Sequence, residues 1–382
     1  MAAEAVEMGV SIPTGENRSV MYSKAREAGV VAGLYLSSVA VALIVSAALV
    51  AVTGGSWREV FAALLDGSLR APGRWGDTLG VAVPLILVGV GTVIGGRAGL
   101  INIGQEGQLT FGAAVAMYAG LNLFGPGPFA LVAMLLIGLA AGAFWAGIAG
   151  VLLYWRRVPE VLTTLLLVTV AAQVVGFGLQ RPWILLAPIE GRSSRNIVSE
   201  QLDPSRRIGR MELFGNEFPI SVFFALAFVI VVAVVLGRTV WGFKLRMLGR
   251  NARTAQRAGV SEWRYGMAGL LLSGGFAGLA GSVMVAGGDF GNYRLVPGFA
   301  VNIGFDGLLV ALVARQRPLL VVPLALVFAA LRTGSGFLAA TGVEREITQI
   351  VQSLLVLALL VPPAVLFIRE RRRALAAMTA RT

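Results

Sequence analysis

The chain has 382 residues, 57% of them hydrophobic and 14% charged, with a mean hydropathy of +0.79 and a formal net charge of +12. A soluble domain carries about 25% charged residues, so this composition excludes an ordinary soluble protein. Cysteine and histidine are both absent, which excludes disulfides, thiolate nucleophiles, Cys/His metal sites and imidazole proton relays.

Residues 1–28 form a polar N-terminal segment of mixed charge, with Lys24 and Arg26 just ahead of the first apolar run. A signal peptide starts with a short basic stretch; the long polar lead points instead to an uncleaved first span. Apolar runs follow at 29–53, 77–96, 101–122, 128–154, 159–179, 218–238, 265–287, 300–314, 318–335 and 346–368. A helix needs about 20 apolar residues to cross a bilayer, and the eighth run is short for that. The expected fold is an all-α polytopic membrane protein of about ten transmembrane helices, with a transmembrane domain over 29–368. Residues 56–66, SWREVFAALLD, read as a short amphipathic surface helix.

Charge orients this arrangement. The segments Tyr154–Arg157, 239–264 and Arg315–Arg317 and the tail 369–382 are basic, whereas the 180–217 loop has six Arg against five acids. By the positive-inside rule the basic loops and both termini are cytoplasmic and the 180–217 loop is external. The excess of Arg is thus an orientation signal toward membrane lipid and implies no nucleic-acid partner. Six of the seven Trp fall near proposed span ends, where ring and N–H are both satisfied; Trp145 lies well inside one.

The phosphate-binding motif G-x-x-x-x-G-K-[ST] cannot form, because Lys24 is followed by Ala25 and Lys244 by Leu245. If ATP drives this protein, the ATPase is another chain. In the 239–264 loop, Arg246, Arg250, Arg253 and Arg257 are spaced 4, 3 and 4 apart, which puts four guanidinium groups along one helical face, and Gly259 supplies a stop. Such a helix suits docking to a partner protein; the alternative is a solvated loop that faces lipid headgroups and only fixes topology.

The stretch GLINIGQEGQLTFGA, Gly99 to Ala113, sits between two apolar runs. On a helix Asn102, Gln105 and Glu106 share one face and Gln108 lies on another. Polar groups at membrane depth normally face the bundle interior or water. The segment reads as a gate or substrate path, or as a polar turn with Glu106 bridging to Arg97. Thr163, Thr164 and Gln173 interrupt the fifth run, and Asn302 and Asp306 open the eighth. The octapeptide from Asn102, NIGQEGQL, is echoed by NIGFDGLL from Asn302, five spans later, which suggests an inverted five-plus-five repeat. An ion-gradient-driven transporter using Glu106 or Asp306 is the alternative to an ATP-driven one. A lipid-acting enzyme would need clustered acids, His or a metal site.

Residues 97–108 (RAGLINIGQEGQ), 158–164 (VPEVLTT) and 304–312 (GFDGLLVAL) are similar to motifs of one known family. The chain resembles the permease subunits of bacterial ABC importers in the group that serves ribose-type sugars, branched-chain amino acids and nucleosides. Within it, the nearest likeness is to the nucleoside (simple-sugar-like) branch. The resemblance runs from about residue 77 to 335 and includes Gly249–Ala252 and Ala258–Val260, which look like the segment that docks on the ATPase. Two positions depart from the pattern: Val168 stands where the nucleoside branch often has Asn, and Ala314 replaces a usual Gly.

The resemblance implies a non-catalytic transport subunit in the bacterial cytoplasmic membrane. Its partners would be a second permease, homologous or identical, ATPase subunits carrying ATP and Mg, and an extracytoplasmic substrate-binding lipoprotein or periplasmic protein. No cofactor is implied in this chain. Asn102, Gln105, Glu106, Gln108, Thr163, Thr164, Asn302 and Asp306 are then the expected path or gate. Arg246, Gly249, Arg250, Arg253, Arg257 and Gly259 are the expected ATPase docking residues.

Overall fold

The structure, a computed structural model, describes residues 15–52, 56–188 other than 124 and 126, 197–336 other than 214, and scattered positions between 350 and 369. It divides into two units, Met1–Trp57 with Gln349–Thr382, and Arg58–Thr348. In the first, helix α1 (Gly15–Val52) carries the first apolar run, and Ser38 Oγ donates to the Ala358 carbonyl at 2.6 Å. Most of the tenth run and the basic tail lie outside the described residues.

The second unit holds the remaining elements. The amphipathic segment forms α2 (Trp57–Leu65), with Val60 and Leu64 buried. Then come α3 (Arg74–Arg97), α4 (Gln105–Asn122), α5 (Gly127–Arg156) and α6 (Glu160–Leu179). A small hairpin, β1 (Arg210–Leu213) antiparallel to β2 (Asn216–Pro219), interrupts the 180–217 loop, with Arg210 opposite Pro219. The chain continues through α7 (Ser221–Arg238), α8 (Val240–Arg250), α9 (Ala252–Arg257), α10 (Glu262–Gly287), α11 (Ile303–Val313) and α12 (Pro318–Ser335).

Among the described residues, six helices are long and apolar enough to cross a membrane: α3, α5, α6, α7, α10 and α12. The expectation of about ten spans is therefore corrected to about six. Counting apolar runs overestimated the spans because a run does not reveal how much of itself is helix. Of the four runs outside the six, the first counts as a shorter apolar helix over Leu36–Val52 and the tenth lies mostly outside the described residues. The run at 101–122 spends Ile101–Ile103 on non-helical chain, and the polar first turn of α4 leaves it outside the six. The run at 300–314 yields an 11-residue helix, α11, about 16 Å long at 1.5 Å per residue and so half the hydrocarbon thickness. A five-plus-five repeat loses its basis with the ten spans.

Helix α10 forms the centre, packed against α5, α3 and α4. It and α3 have 83% of their apolar windows buried, against 28% to 39% in the other four long helices. Helices apolar all round belong inside a bundle, and the many small residues of α10 let neighbours approach to backbone distance. Helix α5 instead buries one stripe, from Ala130 and Met134 through Gly138, Gly142 and Ala146 to Gly150. Its Trp145 stacks on Phe111 at 4.3 Å between ring centroids and donates from Nε1 to the Leu167 carbonyl at 3.2 Å. That bond explains a tryptophan far from an interface.

Candidate functional site: a buried amide cluster and an adjoining cavity

The segment after α3 leaves the helix through Gly99 at φ +81°, and α4 begins only at Gln105. Asn102 is therefore not on a helical face with Gln105 and Glu106. It folds back on the helix it precedes. Its Nδ2 donates to Gln108 Oε1 at 2.8 Å while Gln108 Nε2 donates to Asn102 Oδ1 at 3.0 Å, a reciprocal amide pair. The same Oδ1 accepts from the Gly104 amide at 3.1 Å. Ser273 of α10 accepts from Asn102 Nδ2 at 3.0 Å and from Gln105 Nε2 at 3.2 Å. Gln105 Oε1 accepts from the Thr92 hydroxyl of α3 at 2.7 Å.

All five side chains are buried: Asn102 is 2% exposed, Gln105 0%, Gln108 1%, Thr92 5% and Ser273 0%. A buried polar group is costly unless hydrogen-bonded, and here each amide is satisfied by a neighbour from α3, α4 or α10. Ser273→Ala removes one hydroxyl that serves two amide donors. Each unsatisfied donor costs about 1–3 kcal/mol, so the variant is expected to lower the thermal unfolding midpoint clearly. Ser273→Thr, which keeps the hydroxyl, is the control; equal midpoints for the Ala variant and the parent would disprove the shared role.

The N-terminus of α6 supports the same segment from another side. Thr164 Oγ1 accepts from the Ile103 amide at 3.3 Å and Glu160 Oε1 from the Ile101 amide at 3.5 Å. Thr163 is buried with its hydroxyl turned to the Pro159 and Glu160 carbonyls at 3.3 and 3.1 Å.

Glu106 does not bridge to Arg97, whose guanidinium donates to the Gln316 carbonyl at 3.1 and 2.8 Å. Its carboxylate accepts instead from two backbone amides that open α11, Asn302 at 2.7 Å and Gly304 at 2.6 Å. The two NIG segments are thus in direct contact rather than counterparts at opposite ends of one design. They also differ locally, since Asn302 is left-handed at φ +68°. Asp306 is not an unpaired carboxylate: Arg332 of α12 donates to it at 3.1 Å and to the Val301 carbonyl at 2.6 Å.

Glu106 also reaches a cavity of about 360 Å³ between α4, α6 and the Leu295–Val301 segment. Small residues of α6 spaced by four, Val168, Ala172 and Gly176, form one wall and lead to Gln180. Thr110 is the hydroxyl in the lining. Beside this stripe, Thr169 and Gln173 are exposed in the middle of α6.

The basic loop is two helices, not one. Asn251 ends α8 in an extended conformation and caps α9, its Oδ1 accepting from the Thr254 amide at 3.1 Å. Arg246 and Arg250 therefore lie on α8, and Arg253 and Arg257 on α9. Arg250, Arg253 and Arg257 are exposed and Arg246 is half-buried. Leu248, Ala255 and Val260 form the buried underside, and Gly259 ends the pair at φ +79°. Helix α8 meets the core through Gly249, where a methyl group would overlap the Arg97 carbonyl oxygen and come within 2.8 Å of the Gly99 amide. The turn that carries the amide cluster and the basic helices thus touch backbone to backbone.

Among the described residues, no group of three or more Asp, Glu, His or Cys is placed to hold a metal ion. Sequence reasoning did not single out Thr92, Ser273 or Arg332. The first two are lone hydroxyls in apolar runs, and such residues more often bond their own helix backbone.

Residues 76–360 match the model of a family described as branched-chain amino acid transport system / permease component. A glucose ABC transporter permease protein of Haloferax volcanii is 33% identical over 73% of this chain and 74% of its own length. A guanosine ABC transporter permease protein of Bacillus subtilis is 29% identical over 84% of this chain and 91% of its own. A nucleoside ABC transporter permease protein of Lactococcus lactis subsp. cremoris is 26% identical over 78% and 81% respectively.

Proposed function

Because the chain belongs to this family of branched-chain amino acid transport system permease components, and is the membrane-embedded subunit of an ABC-type importer driven by a separate ATPase, we propose that its solute is a nucleoside, moved inward by alternating access. The observation that carries this reading is the cavity at Glu106. Its volume of about 360 Å³ falls in the range that holds small ligands. Its lining is mostly apolar, with the Thr110 hydroxyl and the Gln180 amide as the polar groups left for a solute once the Glu106 carboxylate is taken up by the Asn302 and Gly304 amides, which suits a neutral solute with an aromatic base that must be released again. Two of the relatives named above carry guanosine or nucleoside in their descriptions.

In this reading the cavity is the solute path, reaching from Glu106 and Val168 toward Gln180 and the 180–217 loop on the external side. Asn102, Gln105 and Gln108, with Thr163 and Thr164 behind them, are the closed seal on the cytoplasmic side, and Asn302 and Asp306 hold the opposite wall. Arg246, Gly249, Arg250, Arg253, Arg257 and Gly259 dock the ATPase, which binds ATP and Mg, and both termini are cytoplasmic. A second permease, identical or homologous, covers the exposed face of α6, where lipid would leave the Gln173 amide unpaired. An extracytoplasmic binding protein delivers the solute. ATP binding favours one of two permease states by its differential affinity.

The test is uptake of labelled guanosine by proteoliposomes holding this chain, its permease partner, the ATPase and the binding protein. Unlabelled nucleosides are expected to compete. Competition by glucose or leucine alone would replace the nucleoside assignment.

A further inference from the structure

The Leu295–Val301 segment forms one wall of the cavity, and its two ends are held differently. At Leu295 it is tied to Ser199: the Leu295 amide donates to Ser199 Oγ at 2.8 Å and the Leu295 carbonyl accepts from the Ser199 amide at 3.0 Å. At the other end the chain turns through left-handed Asn302 into α11. There the amides of Asn302 and Gly304 donate to the two oxygens of Glu106, while Arg332 holds the Val301 carbonyl and Asp306. The turn is thus gripped by an anion from α4 on its amide side and a cation from α12 on its carbonyl side. A carboxylate at a helix N-terminus satisfies otherwise unpaired amides and favours the helix dipole. Bonds to an ionised acceptor are also the stronger kind. No side chain cushions this contact, since a methyl group at Gly304 would come within 2.5 Å of Glu106 Cα. Moving α4 away from α11 therefore breaks both Glu106 bonds together.

We propose that Glu106 is a positioning residue for alternating access. Its carboxylate latches the Leu295–Val301 wall closed over the cavity, and release of the Asn302 and Gly304 amides frees that wall to swing about its Ser199 anchor. This rests on the reading of the cavity as the solute path. The latch is not a solute contact: in the closed state both carboxylate oxygens are already taken by the protein's own amides.

The chain has no cysteine, so a single Val168→Cys substitution reports access to the cavity by a small hydrophilic thiol reagent. The rate is measured in the full reconstituted complex without nucleotide. Glu106→Gln puts an amide donor against backbone donors and is expected to raise labelling of the introduced cysteine by about tenfold or more, the change carried by one charge-assisted bond. Arg332→Gln loosens the other side of the turn and is expected to raise labelling as well. A residue that only stabilised the fold would lower the unfolding temperature without changing access in the folded complex. Unchanged labelling in both variants would overturn the latch, and where Glu106→Gln does not fold, Arg332→Gln decides by the same criterion. Absence of labelling in every variant, with and without ATP, would overturn the cavity reading and the latch with it.

Discussion

Gly278→Val is expected to prevent stable assembly of the bundle. Gly278 lies where α10 crosses α5 and α4, and an added methyl group would overlap the Gly138 carbonyl oxygen and come within 2.8 Å of Gly142 Cα. These are backbone atoms of a buried helix, so relief requires separating α10 from α5, its most extensive contact. Overpacking a core costs about 1–3 kcal/mol and occasionally more; with no side chain able to give way, the upper end or beyond is expected here. The readout is the yield and thermal unfolding midpoint of detergent-purified protein. Gly237→Ala on α7 is the control, because nothing lies within 4 Å of an added methyl group there, and a helical Gly→Ala change is neutral to mildly stabilising. A Gly278→Val protein that melts with the parent would mean that the α5–α10 crossing has room for a side chain at the Gly138 and Gly142 backbone.

The second large effect is expected at Gly249→Val, on transport rather than on folding. Gly249 is exposed on one side, yet its backbone rests on Arg97 and Gly99, the end of α3 and the start of the turn into the amide cluster. Valine at this position pushes α8 away from that turn. If α8 and α9 carry the ATPase's motion, the joint that delivers it is this backbone contact. The variant is therefore expected to purify with its ATPase and to hydrolyse ATP while solute uptake falls about tenfold or more, as a displaced contact worth about 1.4 kcal/mol would give. Uptake at the parent rate would remove α8 from the coupling route.

Much of this was legible in the residues. The membrane class followed from apolar run length, and the cores of α3, α5, α6, α7, α10 and α12 fall on predicted runs. What periodicity could not reveal was where an apolar run stops being helix. Asn102 sits three residues before α4 because its side chain prefers a local bond to the Gly104 amide and a paired bond to Gln108, the competition with helix that Asn commonly offers. Asn251 splits the basic loop for the same reason, as a cap. The candidate residues stand out in the sequence, but their partners lie far along it. Glu106 meets Asn302 and Gly304 across nearly 200 positions (196 and 198), and Asn102 meets Ser273 across 171. The echo between the two NIG segments, read as a repeat, instead marks two stretches that pack on one another.

This chain is expected to move its solute only when a separate ATPase turns over ATP. The decisive measurement uses the same proteoliposomes, with guanosine uptake followed under three conditions: ATP, a non-hydrolysable ATP analogue, and an imposed proton or sodium gradient without ATP. Uptake is expected with ATP alone, and is expected to disappear when the ATPase is omitted. Uptake driven by the ion gradient in the absence of the ATPase would rule out ATP-driven import and return Glu106 and Asp306 to the role of coupling groups.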